Sequence, residues 1–182
     1  MNTKFRLSTC AALFALLTPS VAAAQGARIQ LDQLNHLTEK AEKVVDVSVE
    51  SSTLRQAASF LSGKDPNSGK VRELIEGLTA IYVKGFEFKG PAAYSPSDVD
   101  SIRRQVSGSG WSRIVSVREQ NELTEIYFWR EREENGGLVV VSAEPNELTI
   151  VNIVGRIDLA SLAALGPMIP KLSEAADAAA KK

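Results

Sequence analysis

The chain has 182 residues, with 21 Lys and Arg against 22 Asp and Glu, one His and one Cys. So even a balance offers no basic stripe to neutralise phosphates, and nucleic-acid binding has no electrostatic support. A single cysteine excludes an internal disulfide framework and a multi-cysteine metal site.

Lys4 and Arg6 form a short basic opening, Leu7 to Leu17 is uncharged and mostly apolar, and Thr18-Pro19-Ser20 breaks that run. Ala22-Ala23-Ala24 then supplies the small-x-small pattern of a signal peptidase site. Residues 1–24 therefore read as an export signal cleaved between Ala24 and Gln25. An apolar run of about eleven residues is too short for a spanning helix, which takes roughly twenty. Leu7-Ser8-Thr9-Cys10 lacks the preceding apolar run of a lipoprotein box. Cleavage removes Cys10 and leaves 158 residues with 19 basic and 22 acidic side chains, a net charge of −3. The mature chain is expected to be periplasmic or secreted, soluble, without a membrane span, and held by its hydrophobic core alone. Its length suits one domain. We place a short arm at residues 25–30, the domain at 31–168 and an Ala/Lys-rich tail at 169–182.

Leu31, Leu34, Leu37 and Ala41 predict an amphipathic helix ending near Lys43. Val45, Val47 and Val49 alternate with Asp46, Ser48 and Glu50 and predict a half-buried strand. Leu54, Ala57, Ala58 and Leu61 mark a second helix, which Gly63 ends. After a turn-rich loop over Lys64 to Gly69, Val71, Leu74, Ile75 and Leu78 mark a third helix. Ile81 to Phe88 carries apolar residues on both faces and reads as an interior strand. Ser95-Pro96-Ser97-Asp98 is a helix start: a capping serine, proline in the first turn and a carboxylate at the positive end of the dipole. Val99, Ile102 and Val106 are its buried stripe.

Four strands follow, Trp111–Arg118, Leu123–Arg130, Leu138–Ala143 and Leu148–Val154, joined by loops short enough to make antiparallel hairpins. Asp158 caps a last short helix with Leu159, Leu162 and Leu165 facing inward. The predicted architecture is α+β: a single domain with an antiparallel meandering sheet and helices packed mainly on one face.

Candidate chemistry is sparse. His36 lies between Leu34 and Leu37 with no carboxylate at a diagnostic metal spacing, and reads as a helix-flank side chain. Gly63 to Lys70 has five residues between its glycines, and Val71 where a phosphate loop needs Ser or Thr, so it reads as a turn. Asp46 and Glu50 share an exposed strand face, and Glu131, Glu133 and Glu134 crowd a solvated hairpin. Neither set has the apolar pocket that raises a carboxyl pKa. No serine sits in a nucleophile elbow. No catalytic residue, metal ligand or cofactor-binding residue is assigned. The aromatics are the exception: Tyr127 and Trp129 share a strand face with Leu123, and Trp111 is a cross-strand neighbour. Either they are core, or Trp111, Tyr127 and Trp129 form an interaction patch, since such residues anchor interfaces. Asn152, polar inside a strand, calls for a backbone hydrogen bond or a ligand contact.

Tyr82-Val83-Lys84-Gly85-Phe86-Glu87-Phe88, Tyr94-Ser95-Pro96-Ser97-Asp98, Gly110-Trp111-Ser112-Arg113-Ile114-Val115 and the run Ala143 to Leu159 resemble the domain-of-unknown-function 4252 family. The resemblance covers about Leu31 to Leu165. It departs at the C-terminus, where Pro167 and Pro170 replace the Gly-rich end of many relatives. It implies a small exported bacterial domain, a lipoprotein in some relatives, encoded near sigma and anti-sigma factors and so linked to envelope signalling. It implies no catalytic residue.

Together these readings point to an exported, non-enzymatic binding module of the bacterial envelope, its partner an envelope protein or a small ligand. Two alternatives stay open: a small hydrolase or isomerase built on sheet carboxylates, and a structural envelope component acting through its sheet surface.

Overall fold

A computed structural model of the chain describes residues 26–60, 66–91, 93–131 and 135–157. The export signal with its Ala24–Gln25 junction, the helix expected after Asp158 and the Ala/Lys-rich tail lie outside them, as do the side chains of Glu131, Glu133 and Glu134.

Six strands make one sheet: β1 (Lys43–Glu50), β2 (Leu78–Glu87), β3 (Trp111–Glu119), β4 (Glu122–Glu131), β5 (Asn135–Glu144) and β6 (Glu147–Gly155), in the order β1-β2-β6-β5-β4-β3. Every neighbouring pair is antiparallel. The meander β3-β4-β5-β6 follows the alternation and short turns of its sequence. Helices α1 (Ser51–Phe60) and α2 (Pro66–Gly77) join β1 to β2, and α3 (Pro96–Gln105) lies between β2 and β3. Alternating directions along the sheet make β2 and β3 run the same way from its two halves. The connection through α3 must therefore cross a sheet face.

Side-chain alternation splits the interior into two cores. On one face, Leu54, Ala58, Leu74 and Ile75 from α1 and α2 pack on Ile126, Phe128, Leu138, Val140, Val151 and Ile153. On the other, Val99, Ile102 and Val106 join Leu34 and Leu37 over Phe86, Tyr127, Val139, Val141, Leu148 and Ile150. The α+β fold with an antiparallel sheet stands. The helices, expected mainly on one face, are divided between both, because a strand set apolar on each side needs two covers.

Other local expectations change. The first helix is a 3-10 turn over Asp32–Leu37, with Leu34 and Leu37 fully buried. Leu31, Leu34 and Leu37 are three apart, which is the 3-10 period. The third helix begins earlier, at Pro66, inside the expected loop, where proline suits a first helical position. It ends at Gly77, and Leu78 opens β2 instead. β1 is an edge strand: Val45 and Val47 are each 38% exposed, and only Val49 packs against the core. β2, flanked by β1 and β6, is interior as expected.

Before the 3-10 turn, the arm lies on the α3 face of the sheet. The fully buried Asn152 accepts the Ile29 N–H at its Oδ1 (3.0 Å), and its Nδ2 donates to the Ala27 (2.8 Å) and Leu138 (3.2 Å) carbonyls. Gln105 of α3 closes the same arm, its Oε1 accepting the Gln30 N–H at 2.7 Å and its Nε2 donating to the Gln30 carbonyl at 2.9 Å. The Arg28 guanidinium sits 4.4 Å from the Tyr82 ring centroid, a cation–π contact. Asn152 is thus a backbone clamp, the first of the two roles its position allowed.

Candidate functional site

The densest polar cluster lies where α3 crosses β3 and β4, and its centre is Glu125, only 2% exposed. Strand alternation forces this burial. Leu123, Glu125, Tyr127 and Trp129 all point to the α3 face, so Glu125 must enter the core or break the register. Arg103 answers from α3 through Nε, 2.8 Å from Glu125 Oε2, and Arg113 from β3 through a terminal nitrogen 3.0 Å from Oε1. The Tyr127 hydroxyl donates to Oε2 at 3.0 Å, and Asp100 holds the other end of the Arg103 guanidinium at 2.9 Å.

Burial alone would raise the Glu125 pKa. The hydrogen bonds from Arg103 and Tyr127 and the charges of Arg103 and Arg113 outweigh it and hold the carboxyl below its ordinary value. The same bonding raises the Arg103 pKa, chiefly through Glu125. The Tyr127 hydroxyl is raised by burial and then by its bond to the carboxylate. With both oxygens occupied, Glu125 is an ionised anchor, not a proton donor at neutral pH nor a free base. The cluster ties α3 to the sheet.

Beyond it, toward the start of α3, an open cleft of about 510 Å³ lies between α3, the tip of the β3–β4 hairpin and the β5–β6 turn. Tyr94, Pro96, Val99, Leu123, Ala143 and Pro145 make its apolar walls, and Arg103 of α3 and Arg118 of β3 also line it. Tyr94 is fixed by donating its hydroxyl to the Glu144 carbonyl. Gln120, at the hairpin tip with φ 47°, and Asn121 and Glu122 form the polar rim. Arg103 is committed to Glu125 and Asp100. Among the described residues Arg118 has no ion-pair or hydrogen-bond partner, an exposed cation beside an apolar surface.

Of the two readings of Trp111, Tyr127 and Trp129, core or interaction patch, their burial favours core. Trp111 and Trp129 are register partners, and Arg113 faces Tyr127. Tyr127 and Trp129 are each 7% exposed, and Trp111 is half-buried against the α3-side core. That face meets a helix and the arm, so its aromatics are core. Gly110, at φ 88°, lets β3 start against Trp129, whose indole nitrogen would lie 2.7 Å from any added Cβ.

His36 bridges the 3-10 turn to α3, Nε2 lying 3.1 Å from Asp98 Oδ1 and Nδ1 2.8 Å from the Gln33 carbonyl. Asp98 accepts the Ser95 N–H at 2.7 Å, completing the helix start read from the sequence. Asp46 pairs with Lys84, which is almost fully buried. Among the described residues no group of His, Cys, Asp or Glu is placed to hold a metal ion, and no helix is long and apolar enough to cross a membrane.

The Glu125 cluster and the cleft were not among the sequence candidates. One signal was available for the first: a glutamate in line with Leu123, Tyr127 and Trp129 is a charge in a core register and requires a cationic partner. None announced the cleft, which needs three loops to converge.

Fold and site thus define an α+β domain built on one antiparallel sheet between two helical layers, with its buried charges paired and an open apolar cleft at one end. The chain belongs to the family described as domain of unknown function (DUF4252), whose model matches residues 38–165. That span holds the six strands and three α-helices of the described residues, and leaves the arm outside it. No curated protein and no solved structure matches the chain.

Proposed function

We propose that this protein is an exported binding module of the bacterial envelope, acting without catalysis and serving envelope signalling, and that it takes its ligand in the cleft beside α3. The cleft carries the reading. Its volume falls in the range of pockets that hold small molecules or short side-chain runs, roughly 300–1,000 Å³, and mostly apolar walls with a few polar groups suit recognition. The ligand presents an apolar body to Tyr94, Val99 and Leu123 and a hydrogen-bond acceptor to Arg118. Export is carried by the basic and apolar opening of the chain and its Ala22-Ala23-Ala24 flank.

The test joins location and binding. The chain is expressed from its full sequence, and the envelope fraction is analysed for its N-terminus and for what co-purifies. The expected protein begins at Gln25 and retains a protein or small ligand that Leu123→Glu releases while the circular dichroism spectrum stays unchanged. Recovery from the cytoplasm with residues 1–24 attached would overturn the export reading. Identical retention by both forms, or none by either, would overturn the cleft.

A further inference from the structure

The sheet has two edges, and they differ in regularity. Both carry charges, Lys43, Asp46 and Glu50 on β1 and Arg113, Arg118 and Glu119 on β3, but β3 is also interrupted by a bulge at Ile114, a device that discourages strand addition. β1 pairs with β2 from Lys43 to Glu50 without a register shift, contains no proline, and has no described residue on its outer side. Val44, Val45 and Val47 are each 38% exposed along it. A regular edge of eight residues, four of them valine, is an open template for another strand.

We infer that the occupant is the β1 strand of a second copy of this chain, added antiparallel across a two-fold axis that passes through Val47. Such an axis runs normal to the sheet, so like faces stay together and each residue must oppose one of its own alternation class. Few registers satisfy this, and overlap and charge separate them: centring on Val45 or Val49 opposes no like charges but pairs only residues 43–47 or 48–50 of the strand. Centring on Asp46 sets that carboxylate against its own copy, and centring on Ser48 sets Asp46 against Glu50. Centring on Val47 does neither. It pairs residues 44–50, opposing Val45 to Val49, Val47 to Val47, and the Asp46 carboxylate to the Ser48 hydroxyl, which can donate to it. One face of the seam is then an all-valine ladder, the pairing that best stabilises adjacent strands. The two α1 helices fall on that same side, where Phe60, 77% exposed, ends each of them. The product is one continuous sheet of twice the width with both bulged β3 edges outermost.

The register gives a sharp test. The full sequence is expressed in a Cys10→Ala background, and the purified protein is examined by light scattering and mild oxidation. The expected mass is that of two chains. Directly opposed residues lie about 5 Å apart between Cα atoms, within disulfide range, so Val47→Cys forms a covalent homodimer. Val45 and its copy lie about 13 Å or more apart along the seam, so Val45→Cys does not. Val47→Lys opposes two like charges on the axis and weakens association roughly tenfold or more while leaving a folded monomer. A wild-type monomer at the highest soluble concentration would overturn the inference. So would oxidation that links Val45→Cys as readily as Val47→Cys, or links Val47→Cys to a different protein. Should Val47→Lys fail to fold, the cysteine pair decides alone. Neither result touches the cleft, which lies at the opposite edge of the sheet.

Discussion

Glu125 shows how one residue sets a local architecture. A carboxylate pointing into a core is tolerable only when its partners arrive with it, and here they come from α3, β3 and β4. Its lowered pKa fixes the sign of a pH effect. A depressed native value adds stability that is present above the unfolded value, near 4.5, and is lost as pH falls through the native one. Glu125→Gln is therefore expected to cost about 3 kcal/mol at neutral pH, because it leaves the partly buried Arg103 with only the half-exposed Asp100 as counter-charge and Arg113 with none. In urea titrations across pH, the gap between wild type and variant should hold constant above pH ~5 and close as pH falls below it. A gap that persists unchanged into acid would contradict the ionised-anchor assignment. The residue was legible as an anomaly, a charge in an apolar register. Its partners were not, since Arg103 and Arg113 look like any surface arginines until the fold brings them together.

At the scale of elements, the arm and the sheet fit through two small features. Asn152 supplies the hydrogen bonds, and Gly137 supplies the room: a Cβ there would collide with the Ala27 side chain. Gly137→Ala should therefore lift the arm from β5 while the sheet survives. We expect a loss of about 1–3 kcal/mol, together with hydrogen exchange at the Ile29 amide faster by at least an order of magnitude. Unchanged protection of that amide would show that the arm shifts without release. The strands from Trp111 to Gly155 were legible to within a residue at each end, because alternation and tight turns are local signals. The exception is Asn135-Gly136-Gly137, which reads as the end of a loop but pairs with β4 and opens β5. The 3-10 turn was not separable from a helix by leucines spaced three apart. The exposure of β1 was hidden for a different reason. Alternating valines report that a strand has an apolar face, not whether anything covers it.

The whole molecule is a sheet that serves two cores at once. Ile102 and Leu138 are both fully buried, one on each side of the sheet. Each truncation to alanine should cost about 2–5 kcal/mol. Because the two cores share every central strand, they should fail together: fluorescence from Trp111 and Trp129 and far-ultraviolet circular dichroism should trace coincident urea transitions in both variants. Separate midpoints in Leu138→Ala would mean that the α1–α2 layer can unfold on its own. Two-sided coverage was partly legible, since Ile81, Val83, Phe86 and Phe88 already put apolar groups on both faces of one strand. The helix count alone concealed it.

The clasp of Asn152 on residues 27–29 also has a consequence in time. Its two halves lie more than 120 positions apart in the chain, at separations of 123 and 125. The arm is synthesised first, yet its binding place does not exist until β6 has been made and paired. A growing chain therefore carries residues 27–29 unfastened, and only a nearly finished sheet can close over them. The clasp works as a completion mark: an amide at Ile29 protected from exchange reports that the last strand is in place.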